Sequence, residues 1–179
     1  WFRYYELMIA EGITTSGQLS IRWIERKLNE YINNVLKTKD KDYVIASDTD
    51  SVYIRFDEIV SHVFKGCTDT QRIVNFLDKI ASEKIEPFIE KSYQELADYV
   101  NAYDQKMQMK REVIADKGIW TAKKRYILNA YDIEGVRYKE PTLKIMGIEA
   151  VKSSTPAPCR EKIKEALKIM MSGDEKELN

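Results

Sequence analysis

The chain has 179 residues, of which 44% are hydrophobic and 11% aromatic, enough for one domain or slightly more around a real core. Only 7 Gly and 4 Pro interrupt it, and 29 basic and 29 acidic side chains are intermixed, which excludes collagen-like, low-complexity and disordered chains. The formal net charge of zero argues at first against a nucleic-acid partner, because phosphate binding depends on positive charge.

Cysteine and histidine are scarce, which limits the metal chemistry. Cys67, Cys159 and His62 are too few for a four-ligand zinc site or a disulfide framework, and sparse thiols are typical of a reducing compartment. Any metal is therefore expected to be held by oxygen. No run approaches the roughly 18 apolar residues of a membrane span, and the start of the chain lacks a signal-peptide layout, so the sequence predicts no membrane partner.

The first half of the chain predicts a helix followed by a hairpin. Apolar residues at helical spacing predict a long amphipathic helix over 14–36, capped near Thr15 or Ser16. After a polar break, the short apolar runs 43–46 and 52–56 flank a polar turn. Two β-rich runs around such a turn predict a β-hairpin.

The pattern further along the chain changes from helix to sheet. Residues 69–103 form a second predicted helical region, which Pro87 should kink or divide. From 106 to 138 the alternation is that of β-strands, with Gly118 and Gly135 predicted as turns.

A last helix is predicted over 157–171. This succession of helix, hairpin, helix, sheet and helix predicts an α+β fold, an antiparallel sheet with helices on one face.

The tripeptide Asp48-Thr49-Asp50 is the most informative in the chain. Two carboxylates on a tight turn can point to the same side, and oxygen ligands on a rigid hairpin suit Mg²⁺ in phosphate chemistry. Asp is also an ordinary turn residue, and that simpler interpretation stays open for a bare Asp-x-Asp. The apolar flanks predict that the pair lies at the tip of a buried hairpin, where a cation would offset the unpaired charges.

A second enzyme class fits the same residues. The run from Asp48 to Val52 behind an apolar strand resembles the nucleophile loop of haloacid-dehalogenase-type phosphatases, in which the first aspartate, here Asp48, attacks phosphorus. That class needs repeated strand–helix units and a later acidic pair. The sequence has neither an Asp-Asp pair downstream nor that rhythm, so this magnesium-dependent aspartyl phosphatase is a remote alternative.

A basic run, Lys123-Lys124-Arg125-Tyr126, lies within residues 120–131, which contain no breaker and are predicted as one continuous strand. Strand alternation then places Lys124 and Tyr126 on one face and Lys123 and Arg125 on the other. A cation beside an aromatic ring suits a nucleic-acid backbone, whereas a bare basic run is more often a solvated face.

The net charge of zero conceals an uneven distribution. Residues 1–105 carry 13 basic and 18 acidic side chains, a net of −5. Residues 106–168 carry 15 and 8, a net of +7, and residues 169–179 carry 1 and 3, a net of −2. The basic stretch is therefore a candidate for holding phosphates, while the acidic half contains the candidate metal ligands.

Together, the apolar strand, the Asp-Thr-Asp hairpin and the later Lys-Lys-Arg-Tyr run resemble the palm of a family B DNA polymerase, most closely that of T-even-type bacteriophages. Other runs in the family order extend this resemblance over nearly the whole chain. These runs are Trp23 to Lys27, Phe76 to Lys79, Trp120-Thr121, Lys144 to Gly147, and Lys152 to Pro156.

The resemblance implies a role for each motif residue. Asp50 would bind the two catalytic Mg²⁺ ions directly, Asp48 would be a weaker ligand near the primer end, and Glu112 would help to order a metal. Lys124 and Tyr126 would hold the primer strand near its 3′ end. The implied reaction is template-directed, two-metal nucleotidyl transfer to a primer 3′-hydroxyl.

Further DNA contacts implied by the resemblance are Lys123, Arg125 and Lys152. Residues 1–147 would belong to the palm and 148–179 would begin the thumb. The implied partners are primer–template DNA, dNTPs and the remaining polymerase domains or a split subunit, in the cytoplasm of an infected bacterium.

The sequence also departs from the family pattern. Ala46-Ser47 precedes the aspartates where the family usually has Tyr-Gly, and the second acidic motif and the fingers helix are missing from this chain. We therefore expect the isolated chain to bind Mg²⁺ weakly and not to polymerise alone. The alternative from another class is a catalytically inert scaffold for DNA binding or assembly.

Overall fold

The structure, a computed structural model, describes residues 5–66 and 69–173. It divides between Lys110 and Arg111 into two compact units. The predicted α+β class is confirmed, and the described strands form a two-stranded and a three-stranded antiparallel sheet. Within this part of the chain, no helix is both long and apolar enough to cross a membrane.

Helix α1 of the first unit, Leu7–Leu36, begins seven residues before its predicted start. The prediction of a cap at Thr15 or Ser16 is wrong: the N-cap is Glu6, and Ser16 lies inside the helix. The Ser16 hydroxyl donates to the carbonyl of Gly12 at 2.7 Å, a bond that satisfies the hydroxyl without ending the helix.

The core of the first unit forms between α1 and a later helix, α4, Glu86–Tyr99. The indole Nε1 of Trp23 donates to the carbonyl of Ser92 at 2.9 Å and ties the two helices together. Leu19 and Val35 share the helical spacing of the apolar residues in α1 but are exposed, so the buried stripe is narrower than the sequence pattern. The buried cluster consists of Ile24, Leu28, Val44, Ile85, Ile89, Tyr93 and Leu96.

The predicted hairpin is confirmed. Strand β1, Val44–Ser47, pairs antiparallel with β2, Val52–Ile54, and a register shift near the start of β1 marks a bulge. A short helix, α2, Asp57–Val63, follows the hairpin and was not predicted. Seven residues are too few to establish a helical period in the sequence.

The second predicted helical region is continuous in the structure, and its geometry changes just before Pro87 rather than the region being divided there. Helix α3, Thr70–Ile80, runs into a π-helical segment, Ala81–Ile85, which leads directly into α4. In the wider turn the N–H of Glu86 donates to the carbonyl of Ala81, five residues back. Pro87, which has no N–H to donate, lies in the first turn of α4.

The second unit contains a three-stranded sheet, with β4 in the centre. Its strands are β3, Val113–Ala122, β4, Arg125–Ile133, and β5, Val136–Met146. The β-pattern predicted from residue 106 therefore becomes a strand only at 113. Gly135 forms the predicted turn, with φ +85°.

Gly118 does not form a turn, so that prediction is wrong. It lies within β3, where an added Cβ would be 2.6 Å from the Trp120 ring and 2.8 Å from the Leu128 side chain. The glycine therefore leaves room for the indole to lie against the strand.

The predicted last helix is confirmed as α5, Ala157–Ser172. A 3₁₀ turn, Glu149–Val151, precedes it, and Lys117 Nζ donates to the Met171 carbonyl at 2.7 Å. Both features lie in the second unit. The predicted boundary between a palm over 1–147 and a thumb over 148–179 stays a prediction. The buried cluster here consists of Ile127, Ala150, Leu167 and Met171.

A buried carboxylate holds the turn between β4 and β5. Asp132 is fully buried and forms ion pairs with Arg111 and with Arg137, whose Nε lies 2.8 Å from Oδ2. Oδ1 also accepts the N–H of Gly135 at 3.0 Å. Two guanidinium groups and a backbone N–H thus compensate the desolvation of this charge.

Candidate functional site

The two aspartates lie in the loop between β1 and β2. The N–H of Asp48 donates to the carbonyl of Ser51 at 2.9 Å and closes the base of the loop. Asp48 is half-buried and Asp50 is exposed. The expectation of a buried acidic tip is therefore wrong, because the tip lies at the surface of this unit.

The two carboxylates differ in their local bonds. Asp48 Oδ1 accepts the N–H of Thr49 at 2.8 Å and its hydroxyl at 3.2 Å, which fixes the side chain against the loop. The Asp50 carboxylate forms no hydrogen bond or ion pair within the described ranges. Asp50 can therefore accept a ligand without losing an internal contact.

Side chains of α1 hold the strand that leads to this loop. Asn29 Oδ1 accepts the N–H groups of Tyr43 at 2.8 Å and of Val44 at 2.9 Å. One turn later, Asn33 Nδ2 donates to the carbonyl of Lys41 at 2.7 Å, and its Oδ1 accepts the Lys41 N–H at 3.1 Å. Sequence reasoning missed both residues, although two asparagines four residues apart beside an apolar stripe were a visible signal.

A polar cluster that includes Glu58 of α2 also supports the chain at the start of this strand. Glu58 forms an ion pair with Lys41 and accepts the hydroxyl of the fully buried Tyr43 at 3.0 Å. The hydrogen bond from the Lys41 ammonium, followed by that from Tyr43, holds the pKa of Glu58 below its ordinary value. The start of β1 is thus fixed by both α1 and α2.

Glu112, the third predicted metal ligand, lies in the second unit. Its exposed carboxylate forms an ion pair with Lys144. No group of three or more His, Cys, Asp or Glu side chains over 5–66 and 69–173 is arranged to hold a metal. The hairpin therefore offers two carboxylates, which match the donor type of Mg²⁺ but supply only part of its ligand set.

The histidine and the cysteines do not add to this site. His62 is exposed on α2, where its Nδ1 lies 2.8 Å from the Glu58 carbonyl. Cys159 is a free, exposed thiol, and Cys67 lies outside the described residues.

The basic run forms a hairpin turn, so the prediction of one continuous strand is wrong. β3 ends at Ala122, β4 begins at Arg125, and Lys123 and Lys124 form the two-residue turn between them. Lys124 has φ +61°, in the left-handed region. Gly and Asn are the usual residues there, so the sequence carried no turn signal.

The segment after β5 brings Lys152 close to the basic turn, through contacts made by Gly147 and Glu149. Gly147, with φ +66°, lies so close to the turn that an added Cβ would be 2.1 Å from the Lys124 carbonyl oxygen. Arg125 Nε donates to the Gly147 carbonyl at 3.1 Å, and the guanidinium also pairs with Glu149. Glu149 Oε1 lies 2.9 Å from Lys152 Nζ.

The predicted DNA-binding side chains in this cluster have different surroundings. Lys123 and Lys124 are exposed and form no ion pair within the described part of the chain. Tyr126 is only 9% exposed, and its ring centroid lies 6.5 Å from that of Trp120. The tyrosine therefore packs chiefly within this unit, and its DNA contact stays a prediction.

Sequence reasoning missed the roles of Gly147 and Glu149. The hydrogen bond from Lys152 is the main cause that holds the pKa of Glu149 below its ordinary value, with a smaller contribution from Arg125. Gly147 at the end of β5 was the one available signal in the sequence, but only the structure shows that the Lys124 carbonyl approaches it.

The fold and these groups define an α+β chain with an acidic hairpin in one unit and a basic turn in the other. No family model matches the chain. It is, however, 47% identical over 184 residues to the DNA-directed DNA polymerase of Escherichia phage RB69, covering 98% of this chain and 20% of that protein. It is 44% identical over 187 residues to the DNA-directed DNA polymerase of Enterobacteria phage T4, covering 97% of this chain and 20% of that protein.

The resemblance to T-even-type phage DNA polymerases is thus confirmed along nearly the whole chain. The chain spans about a fifth of the length of the curated relatives it matches.

Proposed function

We propose that the chain is part of a DNA-directed DNA polymerase and takes part in template-directed nucleotidyl transfer to a primer 3′-hydroxyl. The observation that carries this proposal is the 44–47% identity to two phage DNA polymerases along 97–98% of the chain. Residues 1–147 would belong to the palm and 148–179 would begin the thumb. The partners would be primer–template DNA, dNTPs and the remaining polymerase domains, in the cytoplasm of an infected host.

The acidic hairpin would hold Mg²⁺. Asp50 is exposed and has no partner within the described residues, so it suits a direct ligand. Asp48 already uses Oδ1 within the loop and suits a weaker ligand. When bound, Mg²⁺ would stabilise the negative charge of the transferring phosphoryl group. Glu112 shares one carboxylate oxygen with Lys144 and would help to order a metal through the other.

The basic turn would hold the primer strand. Lys124 and its neighbour Lys123 present exposed ammonium groups, which neutralise phosphate without reading base sequence. Lys152 retains 43% of its side-chain exposure beside Glu149 and can face duplex phosphates. The net charge of +7 over 106–168 favours the same role.

A two-carboxylate hairpin is an incomplete ligand set, so polymerisation would require carboxylates from outside this chain. We therefore propose that the chain alone does not extend a primer. Placed in the phage RB69 polymerase in exchange for the matching segment, it should support Mg²⁺-dependent primer extension. Robust dNTP incorporation by the 179-residue chain alone would contradict this proposal.

A matched pair of variants tests the role of the hairpin in that polymerase. Asp50→Asn should abolish extension while DNA binding persists, because it removes a ligand charge at the exposed tip. Glu90→Gln, an exposed carboxylate in α4 with no recorded partner in the described residues, is the control and should leave extension unchanged.

The second candidate is an inert scaffold for DNA binding or assembly, which Ala46-Ser47 before the aspartates favours. Unchanged extension by Asp50→Asn would support it. The phosphatase alternative requires repeated strand–helix units, whereas the described strands pair antiparallel. Asp48-dependent hydrolysis of para-nitrophenyl phosphate would revive it.

A further inference from the structure

We propose that Arg125 and Glu149 position the basic turn, and that Lys123 and Lys124 make its phosphate contacts. This inference rests on the proposed function, because it concerns how the turn presents charge to DNA. Arg125, a DNA contact implied by the family resemblance, is thereby assigned a positioning role instead.

Arg125 is bound on two sides within its own unit. Its Nε donates to the Gly147 carbonyl at 3.1 Å, and its Nη2 pairs with the Glu149 carboxylate. An arginine binds phosphate best when its planar fork is free to engage two oxygens. In this structure that fork is directed at the segment that follows β5.

The contacted segment lies directly against the turn. Because Gly147 has no Cβ, the Lys124 carbonyl can approach to a distance that no other residue type would permit. Lys124 itself adopts φ +61°, which is disfavoured for a lysine without support from its surroundings. The Arg125 contacts to Gly147 and Glu149 join the two segments at this point.

The two turn lysines differ from Arg125 in having no ion-pair partner among the described residues. Lys123 and Lys124 are exposed and have no ion-pair partner in the described part of the chain. Their ammonium groups can meet phosphate without breaking an internal bond. Arg125 would have to give up its bonds to Gly147 and Glu149 to turn its whole fork toward a phosphate.

Glu149 provides the sharpest test, because two explanations predict opposite effects. If Glu149 only weakens the local positive potential, Glu149→Gln should tighten DNA binding. If Glu149 positions the turn through Arg125, the same change should weaken binding although it removes a negative charge. Glu140→Gln is the matched control, since Glu140 is an exposed carboxylate of β5 with no recorded partner among the described residues.

The first experiment measures the affinity of the chain for a primer–template duplex over a series of salt concentrations. Lys124→Gln should weaken binding and reduce the salt slope by about one. Arg125→Gln and Glu149→Gln should each weaken binding by about threefold to tenfold with an unchanged salt slope. The double variant should bind the duplex with about the same affinity as the single variant that binds less tightly. Tighter binding by Glu149→Gln, or a slope reduced by Arg125→Gln, would overturn the inference.

The second experiment does not depend on DNA. Trypsin can cleave after Lys123 and Lys124, and Glu149→Gln leaves all trypsin sites intact. Loss of the positioning contact should accelerate cleavage in the turn by about tenfold relative to the wild type and Glu140→Gln, because the turn opens more often. Thermal unfolding of each variant identifies a global loss of structure.

The outcomes separate the two proposals. A wild-type chain that does not bind the duplex would overturn its proposed role at the primer strand. Unchanged cleavage of the turn in Glu149→Gln would overturn the positioning role alone, whatever the DNA affinity.

Discussion

Asn29 in α1 accepts the backbone N–H of the fully buried Tyr43 on its side-chain oxygen at 2.8 Å. The same oxygen accepts the N–H of Val44, the first residue of β1, at 2.9 Å. One amide group thus satisfies two consecutive backbone donors where the chain enters the strand leading to Asp48. The position of the acidic hairpin depends on this helix side chain.

Asn29→Ala should therefore destabilise the first unit. It leaves two backbone N–H groups without their acceptor, and an unsatisfied buried donor costs about 1–3 kcal/mol. Urea unfolding measures the loss. Asn34→Ala, at an exposed position of the same helix, is the control and should change stability by less than about 0.5 kcal/mol. Equal effects of the two variants would show that Asn29 contributes nothing to the strand.

Gly147→Ala should strongly destabilise the second unit. The new Cβ would lie 2.1 Å from the Lys124 carbonyl oxygen, and the position has φ +66°. Gly135→Ala is the matched control, because its φ is +85° but nothing lies within 4 Å of the new Cβ. We expect a loss of about 1–2 kcal/mol at Gly135 from the backbone alone and a clearly larger loss at Gly147. Similar losses in denaturant unfolding would contradict the close contact.

Asp132→Asn tests the buried ion cluster. The change keeps the side-chain shape but leaves Arg111 and Arg137 without their buried counter-charge, so stability should fall by about 3–5 kcal/mol. Asp116→Asn changes an exposed aspartate bonded to Asn129 and should cost less than about 1 kcal/mol. A stability of Asp132→Asn equal to that of the wild type would exclude an important role for the cluster.

The buried Tyr93 should make the first unit less stable at alkaline pH. Burial raises its pKa to about 12 from an ordinary value of 10.0. Between these values the unfolded chain loses the phenolic proton while the folded chain keeps it, so folding becomes less favourable as the pH rises. The contribution reaches about 3 kcal/mol above pH 12.

The measurement for Tyr93 compares urea unfolding of the wild type and Tyr93→Phe from pH 9 upward. The phenylalanine variant should lose less stability between pH 10 and 12, because it has no proton to release. Tyr99→Phe, at a position 78% exposed, should follow the wild type. Parallel pH profiles for wild type and Tyr93→Phe would refute the raised pKa.

Features that depend on local chemistry were predictable from the sequence. The hairpin followed from two apolar runs around a polar turn, and α5 from the polar passage that ends at Pro156 and precedes it. The start of α1 was not predictable from cap preference alone, because Ser16 bonds back to Gly12 as readily as it would cap a helix.

Features set by contacts between distant residues could not be predicted. The turn at Lys124 depends on the close approach of Gly147, which is 23 residues away in the sequence. Gly118 resembles a turn residue but makes room for Trp120. The candidate aspartates were found from their spacing, whereas the groups that hold their strand, such as Asn29, became visible only in the structure.

The π-helical segment Ala81–Ile85 has a consequence for how this chain can change in length. Its wider turn accommodates one residue more than a regular helix, with Ser82, Glu83 and Lys84 exposed. Deletion of one of these residues would restore an ordinary helical turn and keep the apolar faces of α3 and α4 in phase. The same deletion inside α4 would turn its two halves about 100° relative to each other. This segment is therefore where the deletion of one residue would be tolerated between the two helices.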